Sequence, residues 1–126
     1  MTKTAITSPE LPPPVGPFSQ AIRADGLLYL SGQVGLDPAT GKLVAGGVAA
    51  QTERVLRNLQ AVLQVAGNGF DDVIRAGVYL TNMGDFATMN EVYARHFTKP
   101  YPARTTIAVV ALPLGASVEI DLVVKA

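Results

Sequence analysis

The sequence has no cysteine, no tryptophan and a single histidine, His96. Without cysteine there is no disulfide framework and no thiolate nucleophile. One histidine alone cannot build a zinc site of the usual Cys/His kind. Charge is also scarce. Only 16% of residues are charged, against about 25% in ordinary domains. Lys+Arg and Asp+Glu balance at 10 each, so the chain carries no electrostatic footprint for nucleic acid or an anionic membrane. A small monomer needs a well-charged surface, and this deficit predicts surface covered by other subunits. No run reaches the ~18 apolar residues of a membrane span. Residues 1–15 hold Lys3, Glu10 and four prolines. They contain no apolar stretch of the signal-peptide kind, so a cytoplasmic setting is expected.

What is present fits one domain over residues 1–126, with 1–15 as an extended arm stiffened by Pro12, Pro13 and Pro14. Asp25-Gly26 separates two apolar runs, the strongest short hairpin signal. It pairs Ala24 with Leu27, Ile22 with Tyr29, Gln20 with Ser31 and Phe18 with Gln33. Phe18, Gln20, Tyr29, Ser31 and Gln33 then share one face, while Ala21, Leu28, Leu30 and Val34 share the drier one. Val48, Thr52, Val55, Leu56, Leu59, Val62, Leu63 and Ala66 recur at helical spacing, with Gly67 placed to end the helix. Residues 73–80 alternate as a strand, with Ile74, Ala76, Val78 and Leu80 on one face. Asn82 and Asp85 are candidate caps for a second helix carrying Phe86, Met89, Asn90, Tyr93 and Phe97. Two strands, 103–110 and 117–124, are expected to form a hairpin around Pro113 and Gly115.

The order is β-β-α-β-α-β-β, an α+β fold with one sheet and two helices on one of its faces. The other face, read as carrying Ile22, Tyr29, Tyr79, Thr106 and Ala108 beside polar groups, suits packing against copies of itself.

Phosphate loops, dinucleotide loops and nucleophile elbows are missing. His96, near the end of the second helix, reads as a partner for the helix dipole rather than a catalyst. Candidate chemistry therefore falls to isolated polar residues. Arg104 begins a strand otherwise free of charge and could clamp a planar carboxylate. Glu119 and Asp121 share its face if the last hairpin is regular, and either could serve as a general base or position a water. In that hairpin Arg104 opposes residue 123, which leaves Glu119 roughly 13 Å away along the strand. One small substrate cannot touch both, so a shared site would draw on two chains. Ser31 and Thr106 read as hydrogen-bonding hydroxyls, Phe18 as packing. Asn90 is a buried amide in need of partners.

Four segments together resemble the RidA/YjgF family of reactive-intermediate deaminases: 16–21 (GPFSQA), 30–33 (LSGQ), 85–93 (DFATMNEVY) and 101–106 (YPARTT). Val118-Glu119-Ile120-Asp121 is similar to the family's C-terminal strand, and the likeness runs from about Pro14 to Val124. The resemblance implies a chorismate-mutase-like fold with a mixed sheet, and a homotrimer whose sheets pack into a central barrel with sites between subunits. It implies hydrolysis of 2-iminobutanoate and 2-iminopropanoate to 2-oxo acids and ammonia, without cofactor or metal. By the same resemblance Arg104 holds the substrate carboxylate, Glu119 positions the attacking water, and Ser31, Gly32 and Asn90 line the pocket. Phe18 stands where many members have tyrosine and Thr106 where many have cysteine. Phe18→Tyr is accordingly expected to raise activity.

Two other readings stay open at this point. Members of the family have been described as endoribonucleases that inhibit translation, which the even charge balance disfavours. A trimer that only binds a 2-oxo acid would use the same arginine.

Overall fold

In the computed structural model, which describes residues 2–126, a six-stranded mixed sheet is covered on one side by two helices. The strands are β1 (Thr4–Ile6), β2 (Ala21–Ala24), β3 (Leu27–Val34), β6 (Val73–Leu80), β7 (Ala103–Ala108) and β8 (Val118–Lys125). β4 (Leu36–Asp37) and β5 (Lys42–Leu43) form a small separate ribbon. The helices are α1 (Gly47–Val65) and α2 (Phe86–Tyr93). β1 lies within the segment expected to be a plain extended arm. It pairs with β2 and buries Ile6.

Local chemistry shapes the elements expected from it. Asp25 and Gly26 have φ of 52° and 77°, the pair of positive values a two-residue hairpin turn requires. The β2–β3 register follows as read, Ala24 on Leu27 and Ile22 on Tyr29. β2 is shorter than the expected 18–24 strand, although the Ser31 amide still donates to the Gln20 carbonyl at 3.0 Å. α1 ends in Gly67 at φ 79°. The amides of Gly67 and Asn68 donate to the carbonyls of Gln64 and Leu63, which satisfies the last orphan acceptors of the helix. Arg23 adds a bond of 2.8 Å to the Ala66 carbonyl. Asn82 caps the turn before α2 by accepting from the Gly84 amide at 2.8 Å, whereas the Asp85 side chain makes no cap bond.

The sheet order is β1-β2-β3-β8-β6-β7, and it overturns the expected C-terminal hairpin. β8 inserts between β3 and β6, antiparallel to both, and β7 lies parallel to β6 at the edge. β8 is the strictly alternating strand, with Val118, Ile120, Leu122 and Val124 all buried. A centre position covers those four side chains from both neighbours, while an edge position would leave them half wet. Leu28, Leu56, Leu59, Leu63, Leu80, Met89, Ile120 and Leu122 are fully buried between sheet and helices.

Six face assignments change, three with this order and three at bulges. Arg104, Thr106 and Ala108 oppose Ala76, Val78 and Leu80 in register, so all three face the helices rather than the open side. Two residues of β3, Ser31 and Gly32, stand against the single Asp121 of β8. That bulge shifts the alternation. Gln33 now opposes core-facing Ile120, and Val34 opposes Glu119. A second bulge at Ile74 turns that residue outward, 47% exposed, where the alternation had placed it in the core.

Candidate functional site

Arg104 lies on edge strand β7, on the side facing α2. Its Nη2 donates to Oδ1 of Asn90 on α2 at 2.5 Å. Its guanidinium lies over the Tyr93 ring, 4.7 Å from the centroid, and 5.7 Å from that of Phe86. A planar cation held by an amide and two ring faces loses little freedom on taking a ligand. Among the described residues no carboxylate lies within ion-pair distance of Arg104. Its charge is therefore available, and it opens into a cleft of about 310 Å³ lined by Asn90, Tyr93, Ala94, Tyr101, Pro102 and Arg104. Tyr93 is buried, its hydroxyl without a hydrogen-bond partner. Burial raises the pKa of that phenol, with the Arg104 charge pulling the other way.

Glu119 belongs to a second cluster. Its carboxylate packs onto Gly32 at the β3 bulge, so closely that a Cβ at position 32 would collide with it. Ser31, beside it, donates its hydroxyl to the Ser19 carbonyl at 2.6 Å and so ties the loop carrying Phe18 to the bulge. Phe18 is 52% exposed. Burial holds the Glu119 carboxyl above the usual carboxylate range, and the neighbouring charge of Asp121 adds to it.

The predicted site residues therefore divide. Asn90, Arg104 and Thr106 gather at α2 and β7. Ser31, Gly32 and Glu119 gather at the β3 bulge, with Phe18 on the loop that Ser31 ties to it. Arg104 and Glu119 do not share a face. The rows Arg104–Ala76–Leu122 and Ile107–Tyr79–Glu119 put them two strands and three residues apart on opposite sides of the sheet, roughly 14 Å between Cα atoms. A larger hollow of about 490 Å³, between the N-terminal segment and the outer side of α1, contains none of these residues.

Sequence reasoning missed the aromatic support. In the sequence Tyr93 falls on the same side of the second helix as Asn90 but is given no role; it stands three residues after Asn90, where side chains share a face. That spacing, with an arginine in need of a partner, was the available signal. His96 also differs from its reading: its Nε2 meets Oε1 of Glu53 on α1 at 2.8 Å rather than the end of its own helix.

The fold is that of a known group of small α+β proteins. The solved structure of RidA from the Antarctic bacterium Psychrobacter sp. superposes with a TM-score of 0.92 at 40% identity, covering 98% of this chain and 99% of that one. A family model described as Endoribonuclease L-PSP matches residues 9–126. The chain belongs to this family, which is the RidA/YjgF family. Protein DfrA of Myxococcus xanthus is 50% identical over 125 residues, 98% of this chain and 95% of its own length. The 2-iminobutanoate/2-iminopropanoate deaminase of Mus musculus is 43% identical over 121 residues, 96% of this chain and 90% of its own.

Proposed function

We propose that this protein hydrolyses reactive 2-imino acids to 2-oxo acids and ammonia, at a site that two copies of the chain complete together. The observation that carries the reading is the pairing of a braced arginine, free of any acid among the described residues, with a half-buried glutamate of raised proton affinity. The two stand on opposite faces of one chain. A closed ring of copies, the trimer expected from the family, brings the α2–β7 edge of one subunit to the bulge of the next. The relative named 2-iminobutanoate/2-iminopropanoate deaminase supports the substrate class.

The chemistry suits these residues. Arg104 takes the substrate carboxylate in a two-pronged contact. A protonated imine carbon is already electrophilic, so the water needs orientation more than activation. Glu119, as carboxylate, accepts a proton as water oxygen bonds to that carbon. It returns that proton to the nitrogen. The C–N bond then breaks as the new hydroxyl gives its proton back to the Glu119 carboxylate, and the departing ammonia takes that proton up as ammonium, with the 2-oxo acid left behind. Iminium plus water gives oxo acid plus ammonium, with no change of oxidation state. A carboxyl shifted upward serves both halves of that exchange.

The test is a competition assay. A threonine dehydratase generates 2-iminobutanoate while semicarbazide traps it. The wild type should suppress semicarbazone formation and Arg104→Ala should not. Suppression by neither protein would sink the reading, and equal suppression by both would remove Arg104 from the site. The family model's description names an endoribonuclease, so RNA incubated with the same preparations distinguishes that activity.

A further inference from the structure

Glu119 does not stand alone on its face of β8. Asp121, two residues on, shares that face roughly 7 Å away. The Asp121 carboxylate is held: the Tyr79 hydroxyl donates to its Oδ2 at 2.8 Å. Tyr79 is the register partner of Glu119, yet its hydroxyl reaches back one row to Asp121. Gly77, the register partner of Asp121, makes that reach possible. A Cβ at position 77 would collide with the Asp121 carboxylate and lie 2.8 Å from the Tyr79 hydroxyl.

The surroundings are otherwise sparse in charge. β3 presents Tyr29, Ser31, Gly32 and Val34 to this face, and β6 presents Arg75 and Tyr79. β7 beyond it presents Ala103, Thr105 and Ile107, with Arg75 donating to the Thr105 hydroxyl at 3.5 Å. Asp121 is thus the acid nearest Glu119 on a face that also carries Arg75 and, at the far end of β8, Lys125; its carboxylate is held by the Tyr79 hydroxyl and, among the described residues, makes no ion pair.

We propose that Tyr79 and Asp121 form a positioning pair for Glu119: the phenol fixes the Asp121 carboxylate over Gly77, and that fixed charge sets the pH range in which Glu119 exchanges its proton. The inference rests on the deaminase reading above. The raised proton affinity of Glu119, from burial first and Asp121 second, agrees with it. So does the upward shift of the Tyr79 phenol, from its bond to Asp121 first and then burial.

The test is the acid limb of the kcat/KM profile of the assembled protein, with the dehydratase in excess at every pH. Asp121→Asn should move the limb to lower pH. The midpoint of the limb should fall by about 0.4 pH unit, a roughly threefold change in proton affinity, the effect of one charge roughly 7 Å away through water. Tyr79→Phe, which keeps the ring's shape, should move the limb the same way but less far, because an Asp121 carboxylate no longer held by the phenol can swing away from Glu119. The double variant should match Asp121→Asn alone, since the phenol acts only through the carboxylate. Superimposable profiles, or shifts that add in the double variant, overturn the proposal. Glu119→Gln separates the two failures. If it stays active, the reading of the site fails. If it is inactive while Asp121→Asn keeps the wild-type limb, only the pair fails.

Discussion

Arg104 and Glu119 occupy opposite faces of the same sheet, Arg104 in the row of Ala76 and Glu119 in the row of Tyr79. A reaction that needs both must borrow one from a neighbouring copy, and this makes complementation decisive. Arg104→Ala and Glu119→Gln should each be nearly inactive alone. Unfolded together at equal amounts and refolded, they should form mixed rings. About one interface in four then pairs an intact arginine with an intact glutamate, so about a quarter of wild-type activity should return. No recovery in rings shown to be mixed would mean that each chain holds a complete site.

Gly32 gives a sharper test of the Glu119 half. Its Cα lies against the Glu119 carboxylate, and its backbone needs no positive φ. Gly32→Ala should therefore keep the fold, helped slightly by a less flexible unfolded chain, while its methyl displaces the Glu119 carboxylate from the position the proposed reaction requires. We expect kcat to fall more than tenfold, with the melting temperature little changed. A variant of normal kcat would show that the carboxylate does not act from this position.

Asn90 tests the arginine half. Its Oδ1 accepts from Arg104 Nη2, and a hydrogen bond to a charged group contributes about 1.5 kcal/mol or more. Asn90→Ala should raise KM about tenfold and leave kcat nearly intact if, as proposed, Arg104 binds the carboxylate and Glu119 performs the proton work. Steady-state kinetics over a range of dehydratase supply would measure the split. A fall in kcat at unchanged KM would contradict the division of labour.

How much of this was readable in the sequence depended on whether its cause was local. Asp25-Gly26 dictates a hairpin by its own φ preferences, and the apolar spacing of Val55, Leu59 and Val62 dictates α1. The strict alternation of Val118 to Val124 marked a strand with one dry face. None of these says which strand lies beside which. A strand with β8's pattern could pair with β7 across a short loop or lie between β3 and β6. Only packing of the whole apolar set selects the second. That choice moved Arg104 and Thr106 to the helix side. The bulge at Ser31 and Gly32 was equally hidden, because an extra residue leaves no mark on composition, and it is what sets Gly32 against Glu119. The motifs supplied the candidate residues; their division between two faces needed the sheet order.

The remaining prediction concerns stability rather than catalysis. Glu53 on α1 meets His96 Nε2 at 2.8 Å and Arg57 Nε at 2.9 Å, which ties the segment after α2 back to α1. Burial alone would raise the Glu53 carboxyl, but the bonds and charges of His96 and Arg57 outweigh it and hold the pKa below its ordinary 4.5. A carboxyl depressed by folding stabilises the native state above its unfolded pKa, and that contribution is lost as pH falls through the folded one. Glu53→Gln should therefore cost on the order of 1 kcal/mol at neutral pH, given a side chain still 30% exposed. Acidification below 4.5 should shrink the gap. Urea unfolding of both proteins near neutrality and in acid well below that value would measure it. An undiminished gap in acid would mean that Glu53 acts through packing or neutral hydrogen bonds, and that His96 and Arg57 do not hold it by charge.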